Sequence, residues 1–397
     1  MSVPDKKKFK VLHIITRLIV GGAQENTLLT ISGLNQKDAY DIWLLSGPTQ
    51  GPEGSLEEKA KLCAKLVILP QLVRNVNPLL DFIAFIRLCL FIKKQGFEIV
   101  HTHSSKAGIL GRIAAKLAGV PVIIHTVHGL PFFKSQNFFA NKFYIILEKL
   151  VSLVTDKIIC VSDTLIEDAV RVNIAPRTKF IRIHSGIDLN NFKNDIKQKE
   201  AIKEKLGIPK QSPVIGKVAR LFHFKGHKYF FKAAQIVKTK VPEVRFLLVG
   251  DGILKKRLIQ DAQRLGIAQN TIFAGLISPD EISTYIQAMD VVVHTSLHEG
   301  LPRAVVQAHV LGIPAVCFDV DGTKDIVKHG VSSFLVKPKD INSLAQYIIT
   351  LIKDKEKATQ MGRKAQQFAT KFFSAQTMVD EIDDVYKQTL LLMLCGN

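Results

Sequence analysis

Short apolar runs recur along the chain, and between most of them apolar residues fall three and four positions apart. Lys10-Val11-Leu12-His13-Ile14-Ile15 is the first run. A run without alternation is the pattern of a strand covered on both faces, as in a parallel sheet. It repeats at 40–45, 65–69, 99–103, 122–126, 157–161 and 180–184, with helical spacing over 23–34, 79–94 and 108–118. Alternating strand and helix predicts right-handed crossovers and a parallel sheet. The alternation lapses over 187–213, a polar, lysine-rich stretch that predicts a linker with a short helix at 200–206. It resumes with strands at 214–219, 244–249, 271–273, 291–294, 314–317 and 333–335. Helical spacing there covers 228–237, a segment ending at Leu265, 278–289, 303–311, 341–354, 356–373 and a last amphipathic stretch at 376–394. Strand, glycine loop, helix opens each half. The prediction is an α/β protein of two doubly wound domains, 1–190 and 191–375, facing across a cleft, followed by a helix at 376–397. Ligands of such sheets sit beyond the carboxyl ends of the strands, which makes the cleft the expected site.

A length of 397 residues fits two or three domains. With 47% hydrophobic and 22% charged residues, disordered, fibrous and disulfide-scaffold classes are excluded. Lys and Arg number 54 against 35 Asp and Glu, a formal net charge of +19 shared by both halves. Such a charge attracts nucleic acid, anionic lipid or phosphorylated ligands; a solvated lysine-rich surface explains it equally well. Like-charge blocks are short, with Lys6-Lys7-Lys8 the main one. Cys63, Cys89, Cys160, Cys317 and Cys395 include no CxxC pair, which indicates neither a zinc site nor a disulfide framework and fits a reducing cytoplasm. The basic N-terminus is not followed by a signal-type apolar core. The most apolar stretch, 78–92, carries Asp81 and Arg87 and is shorter than the ~20 residues of a membrane span.

The strongest local signal is Ser296-Leu297-His298-Glu299-Gly300-Leu301-Pro302-Arg303, leading into a helix that stops near Gly312. Proline at the first helical position and glycine past the last match the usual asymmetry. The helix start offers free N–H groups to an anion or to sugar hydroxyls; Glu299 beside it either caps the helix or binds ligand. Arg220 and Lys225, five residues apart after a strand, are placed to converge on a diphosphate, Arg as a fork and Lys as a point charge. Gly21-Gly22-Ala23 allows close backbone approach to a phosphate but is neither a full GxGxxG nor a Walker pattern. Among His101, His103, His125 and His128, the HxH pair lacks an evident third acidic or cysteine ligand. His128 follows a strand and points to the cleft, where neutral imidazole suits a sugar hydroxyl; the other three read as structural. Asp319-Val320-Asp321 has DxD spacing but reads as a loop feature, with no metal expected. GxSxG and HExxH are absent.

In combination these motifs resemble the retaining family 4 glycosyltransferases, which have the GT-B fold of two Rossmann-like domains. The resemblance spans nearly the whole chain. It is carried by Gly21-Gly22-Ala23, the run from His101 to Gly111, the run from His125 to Gly129, Val218-Ala219-Arg220-Leu221, Lys225-Gly226-His227, Gly250-Asp251-Gly252, Glu299-Gly300-Leu301-Pro302-Arg303 and Asp321-Gly322-Thr323. It implies that Arg220 and Lys225 hold the donor diphosphate and that Glu299, helped by the backbone of Gly300, Leu301 and Pro302, binds the donor sugar. His128 would contact that sugar near the acceptor face. Gly21 and Gly22 would close over the diphosphate, and Gly250, Gly275, Leu276 and Ile277 would flank the base. The last helix would return to the N-terminal domain. No cofactor or metal is implied, because Arg and Lys neutralise the leaving group. One departure is Gln307, which stands where the family has a second glutamate, seven residues intervening after the first, gripping the ribose; charge-assisted bonds are about twice as strong as neutral ones. Asp325, where glutamate is common, is a milder change.

The implied function is retaining transfer of a hexosyl or N-acetylhexosaminyl group from a nucleotide-diphosphate sugar, with UDP favoured over GDP, to a glycan or lipid-linked acceptor in polysaccharide or glycoconjugate synthesis. Phe132-Phe133-Lys134 and Phe138-Phe139 with Lys142, Phe143 and Tyr144 form an aromatic–basic stretch. It predicts either rest on an anionic membrane, hence a cytoplasmic protein peripheral on the inner membrane face, or a helix packed in the core. The alternatives are a catalytically impaired sugar-nucleotide-binding partner protein, supported by Gln307; a nucleotide-sugar epimerase; and a nucleic-acid binder, for which no specific motif is present.

Overall fold

The structure, a computed structural model, describes residues 8–49, 53–132, 137–193 and 195–395. It forms two compact units, Met1–Gly186 with Ala375–Asn397, and Ile187–Ser374. Phe133 and Lys134, like Lys6 and Lys7, lie outside the described residues.

The first unit holds a parallel sheet of β1 (Phe9–Ile15), β2 (Tyr40–Ser46), β3 (Lys65–Ile68), β4 (Ile99–His103), β5 (Val122–Val127), β6 (Lys157–Cys160) and β7 (Phe180–Arg182), in the order β3-β2-β1-β4-β5-β6-β7. Its helices are α1 (Gly22–Asn35), α2 (Glu57–Cys63), α3 (Pro78–Gln95), α4 (Ser105–Leu117), α5 (Phe138–Ser152) and α6 (Asp163–Arg171). The unbroken apolar run of β1 has a physical cause: Val11 and Ile15 enter the core on one face, Leu12 and Ile14 the core on the other. Helix α3 shows why local sequence fixes its ends. Asn77 accepts a bond from Leu80 N at 3.1 Å, Pro78 opens the helix, and Gly96 closes it at φ 65°.

The second unit holds β8 (Val214–Val218), β9 (Arg245–Val249), β10 (Thr271–Gly275), β11 (Val291–His294), β12 (Ala315–Phe318) and β13 (Phe334–Val336), in the order β10-β9-β8-β11-β12-β13. Its helices are α7 (Ile196–Lys205), α8 (His227–Lys240), α9 (Lys255–Arg264), α10 (Ile282–Gln287), α11 (Arg303–Val310), α12 (Thr323–Ile326), α13 (Ile341–Lys353) and α14 (Lys355–Phe372). The chain then returns to the first unit as α15 (Ala375–Cys395), whose Met378, Val379, Ile382 and Tyr386 join the core beside α1. Gly33 makes that approach possible, since a Cβ there would lie 2.5 Å from Val379.

The stretch 187–213 is not a linker. Asp195 caps α7 by accepting from Lys197 N at 2.9 Å, and Gln287 of α10 bonds both Asp195 N and Lys193 O. Ile202 is buried, and the Lys203 ammonium donates to the carbonyls of Lys210 and Ser212, both at 3.2 Å. The segment is polar because most of its helix faces water, yet its inner face belongs to the second unit. Both sheets reverse their strand order once, between β1 and β4 and between β8 and β11. Ligands of doubly wound sheets bind beyond the strand tips at these points.

Candidate active site

At the reversal in the second unit, β8 and β11 are neighbours, with Val292 opposite Gly216. The loops that leave their tips are stitched together. Leu297 N donates to Phe224 O at 2.8 Å, and Thr295 Oγ1 donates to Gly226 O at 3.0 Å. Gly226 sits at φ 68°, where a Cβ would come within 1.7 Å of Thr295 O, so only glycine permits this crossing. The neighbouring tips are joined as well: Gly250 N donates to Gly275 O at 2.8 Å, and Leu221 N to Asp251 O at 2.9 Å. A Cβ on Gly250 would meet Ala219 O at 2.2 Å. Arg220, Lys225, Gly250, Glu299, Gly300, Leu301 and Pro302 all lie on these strand-tip loops; Gly275 is the last residue of β10, with Leu276 and Ile277 directly after it.

The crossing brings Lys225 against Glu299 in an ion pair. Glu299 N donates to Asp321 Oδ2 at 2.6 Å, and His298 Nδ1 lies 2.8 Å from the same oxygen. Asp321, from the DxD triplet, is therefore a brace that fixes the backbone under Glu299. Arg220 is exposed, with its guanidinium 5.3 Å from the Phe222 ring centre, and its carbonyl accepts from His227 Nε2 at 3.0 Å. Pro302 stands at the N-cap of α11 rather than at its first helical position, and Gly312 follows the helix at φ 71°. Gln307 is buried on α11.

Beneath the pair lies a charge arrangement that the sequence did not reveal. Lys217 of β8 is fully buried and donates to Thr295 Oγ1 at 2.9 Å. Burial and the neighbouring Lys225 push its pKa down to about 7, against the pull of Glu299. His294 Nε2 lies 3.7 Å from Glu299 Oε1, and burial lowers that imidazole to about 3. For Glu299, burial acts to raise the pKa, but Lys225 and His294 outweigh it and hold the carboxyl down at about 2. The Glu299 carboxylate and the Lys225 side chain thus face each other beside a helix start. Such a site offers a cation to an anion and an acceptor to hydroxyl groups.

In the first unit, Gly21 precedes α1 in extended conformation and Gly22 begins the helix. His101, His103 and His125 are buried on β4 and β5, while His128 is half-buried just past β5. Thr102 Oγ1 lies 2.8 Å from His125 Nδ1, and His103 Nδ1 lies 3.3 Å from His128 Nε2. His13 of β1 joins His101 and His103, a neighbour that periodicity alone did not single out.

Comparison with known proteins fits this geometry. The family described as "Glycosyltransferase Family 4" matches residues 20–191, and "Glycosyl transferases group 1" matches residues 198–368. An Escherichia coli protein, UDP-Gal:alpha-D-GlcNAc-diphosphoundecaprenol alpha-1,3-galactosyltransferase, is 30% identical over 382 residues, covering 96% of this chain and 97% of its own. The chain is a family 4 glycosyltransferase. The Staphylococcus aureus capsular polysaccharide biosynthesis glycosyltransferase CapM is 25% identical over 323 residues, 80% of this chain and 83% of its own. Among solved structures, Anabaena HepE in complex with UDP and glucose superimposes with a TM-score of 0.82 at 22% identity, covering 96% of this chain and 99% of that one. WaaG, involved in lipopolysaccharide biosynthesis, gives 0.75 at 14% identity, covering 94% and 99%. These two establish the GT-B fold of two Rossmann-like domains. In this glycosyltransferase Lys225, Gly226 and Glu299 come together as one constellation. Lys217, His294 and Asp321 are the parts of it whose burial and bonding only the folded chain reveals.

Proposed function

We propose that this glycosyltransferase moves a hexosyl or N-acetylhexosaminyl group from a UDP-sugar to a lipid-linked glycan acceptor, with retention at the anomeric carbon and without a metal ion. The observation that carries this reading is the Lys225–Glu299 pair on crossing strand-tip loops at the switch point. Breaking the sugar–phosphate bond puts negative charge on the departing nucleoside diphosphate, and preorganised cations stabilise it. Lys225 and Arg220 supply that charge. Glu299, freed from Lys225 by the diphosphate, accepts hydrogen bonds from sugar hydroxyls. Gly300, Leu301 and Arg303 offer backbone N–H groups at the start of α11 to the same ligand, while Pro302, which has none, sets the turn between them. Gln307 meets the ribose, and Gly250, Gly275, Leu276 and Ile277 flank the base. The UDP bound to HepE and the diphosphoundecaprenol acceptor named for the E. coli relative support the choice of donor and acceptor class.

The acceptor reading has a surface to match. Helix α4 packs between α3 and α5, tied to α5 by the buried Arg112–Glu148 pair at 2.8 Å and to α3 by Lys106–Asp81 at 2.5 Å. Phe139 is 78% and Phe143 59% exposed, while Glu148, Val151 and Ser152 carry the buried face of the same helix. Leu79, Phe82, Ile86 and Leu90 of α3 and Leu117 of α4 are exposed alongside, with Arg87, Lys93, Lys94, Lys116 and Lys142 among them. An apolar face rimmed by lysine suits an anionic bilayer surface, each basic residue adding about 1 kcal/mol. No helix among the described residues is long and apolar enough to cross a membrane.

The test is release of nucleoside diphosphate and product from a panel of UDP- and GDP-sugars with polyprenyl-diphosphate-linked acceptors, with and without chelator, the anomeric configuration read by NMR. A UDP-dependent, chelator-insensitive, retained product is expected; inversion or metal dependence refutes those parts. Binding of UDP-sugar without any turnover on the panel favours the impaired partner protein that Gln307 suggests.

A further inference from the structure

One lysine of the second unit is enclosed where no motif calls for a charge. Lys217 is fully buried on β8, one residue before the strand ends and the loop that carries Arg220 and Lys225 begins. Its side-chain nitrogen donates to Thr295 Oγ1 at 2.9 Å, and the same hydroxyl donates its own proton to Gly226 O at 3.0 Å. Two hydrogen bonds thus connect Lys217 to the residue after Lys225. The carboxylate that attracts it, Glu299, is already paired with Lys225.

A buried ammonium resting on a neutral hydroxyl lacks the counter-charge that offsets desolvation, so its surroundings decide whether it holds its proton. Five titratable groups face it: Lys225 from the loop after β8, His227 from α8, His294 from β11, Glu299 from the loop after β11 and Cys317 from β12. Burial holds His227 and His294 at about 3 and pushes the Cys317 thiol up, so these three are neutral near pH 7. Lys225 repels a proton on Lys217, and Glu299 attracts one. Burial, with Lys225 beside it, prevails and brings Lys217 down to about 7.

A nucleoside diphosphate held by Lys225 reverses this balance. Its negative charge cancels the repulsion that Lys225 exerts. As it draws Lys225 away, it also leaves the half-buried Glu299 carboxylate without its cation, and a pair broken in this way is strongly destabilised. His294 Nε2 lies 3.7 Å from Glu299 Oε1 but is too weak a base to carry a charge there near pH 7. Of the groups that face Glu299 from below, Lys217 is the one that can.

We propose that Lys217 is a positioning residue that takes up a proton when the donor diphosphate binds, so that Glu299 keeps a compensating cation beneath it while Lys225 serves the phosphates. The proton passes from the buffer to Nζ, and none goes to the substrate. An amine and an ammonium both donate, so the bond to Thr295 persists and the loop crossing stays in place while the charge changes. This rests on the reading that Lys225 meets the diphosphate.

The experiment is calorimetric titration of the full chain with UDP at pH 8 in HEPES, tricine and Tris, which differ in ionisation enthalpy. UDP is then fully ionised, since the second phosphate proton leaves near about pH 6. The slope of the observed enthalpy against the buffer's ionisation enthalpy gives the protons taken up. Wild type is expected to show uptake, and by reciprocity its Kd for UDP to weaken by about threefold or more from pH 7 to 9. Lys217→Met replaces the buried amine by an uncharged chain of similar length and is expected to lose the uptake. UDP binding with zero slope in wild type, or a slope that persists in Lys217→Met, overturns the proposal and leaves the donor site standing. A second measurement needs neither ligand nor that variant: Nζ NMR titration of the lysine-labelled chain. Lys225→Ala is expected to raise the Lys217 midpoint above that of wild type, and an unmoved midpoint overturns the coupling. If the midpoint moves but UDP does not bind wild type, the coupling of the two lysines stands and the donor-site reading falls.

Discussion

Lys225→Ala is the substitution whose consequences the structure specifies most fully. In the free protein Lys225 is paired with Glu299, with only about a fifth of either side chain exposed, 21% and 17%. The Glu299 carboxyl sits at about 2 rather than 4.5 although burial works the other way. At about 1.36 kcal/mol per unit, the net favourable interaction is on the order of 3 kcal/mol. Part of it comes from His294, 3.7 Å away, so removing Lys225 alone is expected to cost about 1–3 kcal/mol of stability. Glu299→Gln in the same chain should recover most of that loss, because no carboxylate is left unpaired. Turnover is a separate quantity. Removing one preorganised donor from an oxyanion site costs about 10²–10³ in rate, and for Lys225→Ala a fall of at least ~tenfold is expected. Initial rates of nucleoside diphosphate release and chemical unfolding of the two variants separate the effects: the double variant regains stability and stays slow. A Lys225→Ala enzyme within about threefold of wild type, folded and saturable, removes Lys225 from the site.

Gln307→Glu restores a charged acceptor on α11 and is expected to tighten donor binding by calorimetry; an unchanged Kd contradicts a ribose role for that position. The pH dependence of stability follows from buried neutral imidazoles. His13, His227, His294 and His309 sit at about 3, against 6.5 when unfolded. The unfolded chain binds more protons between these values, so stability is full above about pH 6.5 and falls as pH drops toward 3. Glu299 adds its own loss only below about 4.5. Denaturant midpoints that stay flat from about pH 7 to 4.5 contradict this. Lys217, at about 7 rather than 10.5, works on the alkaline side: stability is expected to rise from about pH 7 toward 10, and Lys217→Met to abolish the rise. Phe82→Ser with Phe143→Ser is expected to weaken flotation with anionic liposomes while leaving transfer to a water-soluble acceptor analogue unchanged; equal flotation refutes the membrane-facing role of α3 and α5.

Much of this was legible because two signals are local. The run of β1 had to be covered on both faces, and the glycines at 226 and 250 mark places where backbones cross too closely for a Cβ. The order of these signals along the chain, with Glu299 before α11, pointed to the strand-tip site. Other features depend on partners distant in sequence. Lys217 reads as one more lysine in a basic chain until β8 places it inside the sheet. His13 lies in an ordinary apolar strand, and its meeting with Tyr386 spans 373 positions. Most of helix α7 reads as linker because its buried residues, such as Ile202 and Lys203, are few and one of them is charged. Asp321 carries metal-motif spacing, yet its carboxylate is engaged with the backbone of Glu299.

The direct test of a cationic cradle for diphosphate is calorimetric binding of UDP and of UMP to wild type and to Arg220→Ala/Lys225→Ala, with folding of both verified. Wild type should bind UDP at least ~tenfold more tightly than UMP, and the double variant should lose that preference. A UDP preference that survives both substitutions contradicts the assignment of these two cations to the donor.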